Sequence, residues 1–332
     1  MTRAPEPVLH SLILDRYRVE GVVGRGAFGT VCLATDTRTA AKVAIKLEPP
    51  SSSDYLRREA QTLQTLHGPG IPRLRAFTRA DPDPVAVNLP ADAMVTDICG
   101  PSLHDLLRAC GGRFGLKTTL LLANQLLARL QHVHARGFLH RDIKPGNILM
   151  GAGARGATVF LVDFGLALDM GRASGAWDKK MRMIRRRRGE GRLRRRGFCG
   201  TSCYASVAAH LEYEQTEKDD VESLAYVLIY LARGCLPWTG LPAGFPGQGP
   251  DPIAEKKLAL LPEEVARDLP AEFALHLRYA RSLRPDGHVD YEALRAMYKR
   301  LFESSGFQDD GVFDWTDKVE TLAVSAEDSG SK

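Results

Sequence analysis

Two short stretches of this 332-residue chain concentrate the side chains that phosphoryl chemistry needs. The first is His140-Arg141-Asp142-Ile143-Lys144-Pro145-Gly146-Asn147-Ile148-Leu149, and the second is Val162-Asp163-Phe164-Gly165, with Asp142 and Asp163 21 positions apart. A carboxylate can orient an attacking hydroxyl and take its proton, a part that falls to Asp142. An ammonium two residues on, Lys144, can neutralise charge building on a phosphate as it passes between oxygens. Asn147 and Asp163 offer the hard oxygens that suit magnesium, a cation that keeps several waters and needs few protein ligands. Upstream, Val43-Ala44-Ile45-Lys46 is an apolar strand whose lysine sits between Ile45 and Leu47. A cation there could hold nucleotide phosphates, with Glu59 from the next helix as its partner, although alone the pair reads more readily as a snorkelling lysine and an exposed glutamate. Gly24, Gly26 and Gly29 lie between two predicted strands, which argues against a dinucleotide-binding turn and for a hairpin whose amides approach phosphate oxygens. A merely structural hairpin would look the same; four such signals in this order leave little room for chance.

These residues need elements to carry them. Valine-rich runs broken by Gly and Pro predict strands over Tyr17 to Gly24, Thr30 to Ala34 and Ala41 to Leu47. Leu56, Leu63 and Leu66 at helical spacing predict one helix over Asp54 to Leu66, stopped by Gly68-Pro69-Gly70. After Gly100 the period changes, and Leu120 to His134, Val221 to Ala232 and Glu272 to Leu283 read as core-facing helices. The expectation is an α+β, bilobal fold. Residues 17–98 form a small β-rich N-lobe with one main helix, and 99–316 a larger, mainly helical C-lobe, joined near Asp97 to Gly100. An N-terminal extension (1–16) and an acidic tail (317–332) flank them, and no internal repeat is found.

A hydrophobic content of 44% allows a sizeable core. The longest apolar run, Leu224 to Ala232, contains two tyrosines and is far short of the roughly 20 residues that cross a bilayer, so it reads as a buried helix. Without a basic segment, long apolar run and cleavage site at the start, the expected location is cytoplasm, nucleus or both, with no membrane partner. Six cysteines without a Cys-x-x-Cys pair read as free thiols. The net charge of +5 is unevenly spread: twelve Arg and Lys against Asp178 and Glu190 give 172–196 a local +10, leaving −5 on the rest.

On the glycine run, Lys46, the Asp142 loop and Asp163-Phe164-Gly165, the chain resembles eukaryotic protein kinases. Further strings are similar to the casein kinase 1 family: Lys46-Leu47-Glu48, Gly70-Ile71-Pro72, Gly100-Pro101-Ser102-Leu103 and Leu116-Lys117-Thr118. Most specific are Gly200-Thr201-Ser202-Cys203-Tyr204-Ala205-Ser206, Asp219-Asp220-Val221-Glu222-Ser223-Leu224 and Leu236-Pro237-Trp238; Phe313-Asp314-Trp315 ends a likeness that begins at Tyr17. The resemblance implies ATP and Mg2+ as cofactors, Ser/Thr hydroxyls of protein substrates as acceptors, and a monomer. It implies that Thr201 braces Asp142 and Lys144 and that Asp220 anchors the catalytic loop. Thr96 would be the gatekeeper, Asp97 to Cys99 the hinge, and Val31, Ala44 and Leu149 the walls around adenine. A nucleotide-binding pseudokinase acting as a scaffold is the alternative, though it would normally have lost one of Lys46, Asp142, Asn147 or Asp163. A small-molecule phosphotransferase would not be expected to carry the Phe164-Gly165 context.

Two positions depart from the family. Cys203 stands in place of an arginine and Gly249 in place of a lysine, so the small basic site that favours primed or acidic substrates is reduced. The arginine block, Lys179 to Arg188 and on to Arg196, lies in the expected activation segment, where like charges repel. It reads as a solvated insert, as a surface for acidic protein substrates, or as a nuclear-import or nucleic-acid patch. Aromatic interleaving is lacking, so nucleic acid is not the expected partner. If the block replaces the reduced site, changing its arginines to serine will raise KM for acidic peptides more than for neutral ones in steady-state assays; equal effects would reject that reading.

Overall fold

The computed structural model describes residues 9–26, 29–48, 54–79, 92–171, 198–244 and 251–316. Ala27, Phe28, Gly249, the basic insert, the acidic tail and the first eight residues lie outside the described residues. The chain divides into two compact units, one of Met1–Gly100 with Met150–Ala167, the other of Pro101–Leu149 with Leu168–Lys332.

The first unit is built on an antiparallel sheet of β1 (Leu12–Ile13), β2 (Tyr17–Gly26), β3 (Gly29–Asp36), β4 (Lys42–Glu48), β5 (Leu74–Thr78) and β6 (Asp92–Asp97), in the order β1-β2-β3-β4-β6-β5. β2 and β3 outrun the expected strands by one or two residues at an end, β4 is shifted one residue on, and β2 carries the glycine run as far as Gly26. Period-two alternation sorts the side chains. Cys32, Ala34, Val43, Ile45 and Leu47 are buried with Tyr17, Val19 and Val95 in one core, while Val31, Leu33, Ala44 and Lys46 point to the other, partly open face. Cross-strand register places Val31, Lys46 and Met94 in one row and Leu33, Ala44 and Thr96 in the next. Helix α1 (Tyr55–Thr65) covers β5 and β6 with Leu56, Ala60 and Leu63 buried, and the turn Phe164–Leu166 packs against it.

The second unit is mainly helical: α2 (Leu103–Ala109), α3 (Leu116–Ala135), α4 (Val207–His210), α5 (Glu217–Arg233), α6 (Pro252–Ala259), α7 (Pro262–Val265), α8 (Ala271–Ser282) and α9 (Tyr291–Ser304). Helix α5 is its axis. From Asp219 to Ile229 every side chain is buried, α3 and α8 pack on it, and α9 packs on α3. Helix α5 begins at Glu217, four residues ahead of the Val221 that apolar spacing predicts. In the structure Asp219 turns back to accept from the Thr216 amide at 2.7 Å and from the Ser206 hydroxyl at 2.8 Å, and Gly234 closes the other end at φ 82°. Among the described residues no helix is long and apolar enough to cross a membrane, and all six cysteines are free thiols.

Phe273 on α8 is fully buried, with its ring 5.7 Å from that of Tyr298. Phe273→Ala is expected to cost about 3–5 kcal/mol in urea unfolding, whereas Leu258→Ala, at a residue 56% exposed, should stay within about 0.5 kcal/mol. Similar losses at both sites would contradict this core.

Candidate active site

In the first unit the lysine of β4 has a purpose. Lys46 Nζ lies 2.7 Å from Glu59 Oε2 on α1 and 2.9 Å from Asp163 Oδ1. The other Glu59 oxygen accepts from the Phe164 amide at 3.2 Å, so one buried carboxylate ties strand, helix and the Asp163-Phe164-Gly165 turn together. Burial alone would lower the Lys46 pKa, but Glu59 and Asp163 outweigh it and hold the ammonium above the usual lysine range. Glu59 is pushed above the ordinary carboxylate range by burial, reinforced by the negative charge of Asp163 and opposed by Lys46. Removing one member of such a buried pair costs about 3–5 kcal/mol, since the partner's charge is left uncompensated.

The position of α1 depends on Glu48. Asp54 precedes the helix with φ 49° and gives no side-chain cap; instead Glu48, buried at the end of β4, accepts from the Leu56 amide at 2.7 Å. The strand that carries Lys46 therefore also caps the helix that carries Glu59. Lys46-Leu47-Glu48 was noted as a family string, but a strand residue capping a helix eight positions on leaves no local pattern.

Val31, Ala44 and Thr96 share the partly open face of the sheet with Lys46 and with Leu33, an apolar residue not anticipated. At the hairpin, Gly24 pairs with Val31 and Gly26 with Gly29. Gly29 adopts φ 128°, and a Cβ there would lie 2.1 Å from the Leu47 carbonyl oxygen, so no side chain fits. Asp97 receives Arg75 at 2.8 Å and Arg155 at 3.5 Å, and burial pushes the Cys99 thiol up to about 11.

The second unit gathers the remaining predicted residues around one carboxylate. Asp142 is 4% exposed. Its Oδ1 accepts from Thr201 Oγ1 at 2.8 Å, and its Oδ2 from Lys144 Nζ at 2.6 Å and Asn147 Nδ2 at 3.0 Å. Lys144 also reaches Thr201 Oγ1 at 3.3 Å. Leu149 is half-buried in the strand Ile148–Gly151.

The loop bearing Asp142 is held from below by α5. Arg141 sits in the left-handed region at φ 66°, a conformation that persists only where surroundings enforce it. Asp220 does so: Oδ1 accepts from the Arg141 amide at 2.8 Å, and Oδ2 accepts from the His140 amide at 2.7 Å and meets His134 Nε2 at 2.9 Å. His134 Nδ1 contacts the Tyr291 hydroxyl of α9. Gly200, at φ 111°, passes close enough that a Cβ would stand 2.7 Å from the Arg141 carbonyl. Asp220 was expected from resemblance; His134 and Tyr291 were not, being 86 and 157 positions from their partners.

Each unit by itself fits a part of a magnesium–nucleotide complex. In the first, the fixed Lys46 ammonium suits phosphate oxygens, and Asp163 offers a carboxylate beside it. In the second, Asn147 donates through Nδ2 to the Asp142 carbonyl as well as its carboxylate, and its amide oxygen is of the hard type that would suit magnesium.

A family model described as protein kinase domain matches residues 17–243. The chain belongs to the protein kinase domain family, whose members are phosphotransferases that use ATP and magnesium and act on proteins.

Burial would raise the Asp220 pKa, yet His134, His140 and the loop amides hold it below the usual carboxylate range. Since the folded value lies under the unfolded one of about 3.9, the stabilisation is present above about pH 4 and is lost as pH falls through the folded value. The stability gap between wild type and Asp220→Asn, from denaturant curves, is expected to be widest above about pH 5 and to shrink in acid. A gap independent of pH would contradict this.

Proposed function

We propose that the chain is a catalytically active serine/threonine protein kinase of the casein kinase 1 type, transferring the γ-phosphate of ATP to protein Ser and Thr hydroxyls. The observation that carries this reading is the Asp142 carboxylate with Thr201, Lys144 and Asn147 all within hydrogen-bond reach, a constellation with an acceptor for a hydroxyl proton and a cation for the phosphate beside it. Asp142 orients the substrate hydroxyl and takes its proton as the new O–P bond forms and the bond from phosphorus to the β,γ-bridging oxygen breaks, leaving ADP. Lys144 offsets charge on the transferring group, and Thr201 keeps Asp142 from turning away. Lys46, fixed by Glu59, binds phosphate oxygens; Val31, Ala44, Thr96 and Leu149 suit the faces of adenine, and Asp97 to Cys99 its polar edge. Asn147 and Asp163 would each offer an oxygen to magnesium, which when bound would neutralise phosphate charge.

Support for the casein kinase 1 type comes from contacts that join its strings in pairs. Trp238 Nε1 donates to the Cys203 carbonyl at 2.8 Å, linking Leu236-Pro237-Trp238 to the Gly200–Ser206 run. The Asp314 amide donates to Thr118 Oγ1 at 3.0 Å, and Phe313 and Trp315 stack with centroids 4.8 Å apart, placing Phe313-Asp314-Trp315 against Leu116-Lys117-Thr118. Lys144 fits the serine/threonine group, as tyrosine-specific kinases usually differ there.

Transfer of radiolabel from ATP to casein and to a basic protein is the test, comparing wild type with Asp142→Asn. Label on wild-type reactions alone, richer on casein, is the expected result. Equal signals, or none with wild type, would leave a nucleotide-binding scaffold in place of an enzyme.

A further inference from the structure

Lys257 on α6 is fully buried, although its neighbours Glu255 and Lys256 are exposed. Its ammonium donates to the Ser202 carbonyl at 2.8 Å and the Ala205 carbonyl at 2.6 Å, and stands 3.1 Å from His210 Nε2. The rings of Tyr226 and Trp238 flank it, with centroids 4.8 and 5.0 Å away. His210 is set by Asp251, whose Oδ2 lies 2.6 Å from Nδ1. His210 Nε2 also lies 3.0 Å from the Ser202 carbonyl oxygen, so ammonium, imidazole and carbonyl form one buried cluster.

Sequestering an ammonium is costly, and a leucine or methionine would fill the same space without that cost. What an apolar side chain cannot do is donate to the turn that follows Thr201. In that turn the Tyr204 and Ala205 amides both donate to the Thr201 carbonyl at 2.9 Å, which fixes Thr201 to the segment but leaves the segment's own carbonyls facing inward without helix or strand partners. Lys257 takes those of Ser202 and Ala205, the Ser202 oxygen being also 3.0 Å from His210 Nε2, and Trp238 takes that of Cys203. Burial drives the Lys257 pKa down to about 7 against the opposing pull of Glu222, Cys203 and Asp251, a measure of how much solvation the site forgoes. The segment therefore has its backbone bonded from behind at three carbonyls, while the hydroxyl of Thr201 is turned to Asp142.

We propose that Lys257 is a positioning residue for phosphoryl transfer, acting from behind the Ser202–Ala205 turn to hold Thr201 on Asp142 and so to set where the acceptor hydroxyl meets the proton acceptor. The proposal rests on the kinase reading above. It assigns to α6 a part in acceptor alignment and none in nucleotide binding, because none of the groups fitted to phosphate or adenine contacts Lys257.

The experiment uses the full chain with Lys257→Met, an unbranched side chain of similar length without a donor, and titrates nucleotide-binding sites with a fluorescent ATP analogue. Per binding site, kcat for a protein substrate is expected to fall about 10- to 100-fold, the size of a small misplacement at the reacting centre, with Kd for the analogue changed less than about twofold. Amide hydrogen exchange over residues 202–205 should rise in the same variant, and Lys257→Arg, which keeps charge and donors, should recover part of kcat. A folded Lys257→Met with unchanged kcat, or one whose nucleotide binding and kcat fall in proportion, would overturn the proposal. Should Lys257→Met not fold, Trp238→Phe, which keeps the ring but removes the donor to the Cys203 carbonyl, decides: the same pattern in weaker form supports the proposal, and unchanged kcat and exchange overturn it. If wild type transfers no phosphate, the kinase reading fails by itself, and exchange over 202–205 still judges the clamp.

Discussion

A carboxylate with 4% of its surface exposed has to find its hydrogen bonds inside the protein, and much of the second unit is arranged to supply them to Asp142. Lys144, Asn147 and Thr201 each give one, from the same loop, from the short helical turn after it, and from a segment nearly sixty positions further on. None can serve unless the loop is held in its unfavourable backbone state at Arg141, and that task falls to Asp220. A second buried carboxylate, kept charged by His134 and two amides, thus stabilises the geometry of the first.

The same economy organises the first unit. Glu59 neutralises Lys46 with one oxygen and receives the Phe164 amide with the other, while Glu48 stations the helix that brings Glu59 into place. In both units the acidic side chains lie at junctions between elements, where a backbone amide of one element and a cation of another can share a single carboxylate. Stability and chemistry are coupled by this design, since the groups that would bind phosphate or accept a proton are also those whose removal leaves a buried charge unmatched.

Local pattern marked β2, β3 and β4 and the helices α1, α3, α5 and α8, because period-two and period-3.6 burial is written in adjacent letters; the parts given to Thr96, Thr201 and Asp220 came only through the family resemblance. The Val31, Ala44 and Lys46 face follows directly from alternation along β3 and β4. Hidden from the sequence were the partners whose meaning exists only after folding. Glu48 looks like the polar end of a strand, Tyr291 like the first residue of an amphipathic helix, and Lys257 like one of two solvated lysines on a charged turn; all three are buried, Glu48 against the next helix and the other two against partners more than fifty positions away. Charge was the misleading signal at Glu48 and Lys257. It marks solvent when unpaired and marks a junction when a carbonyl, amide or carboxylate waits for it inside.

The central claim is that Thr201 works through Asp142, and a double-mutant cycle on phosphoryl transfer tests it most directly. With Thr201→Ala, Asp142→Asn and the combination assayed on one peptide, the account predicts strong coupling: the double variant should be no slower than Asp142→Asn alone. Losses that simply multiply would show the two residues acting independently and would contradict it.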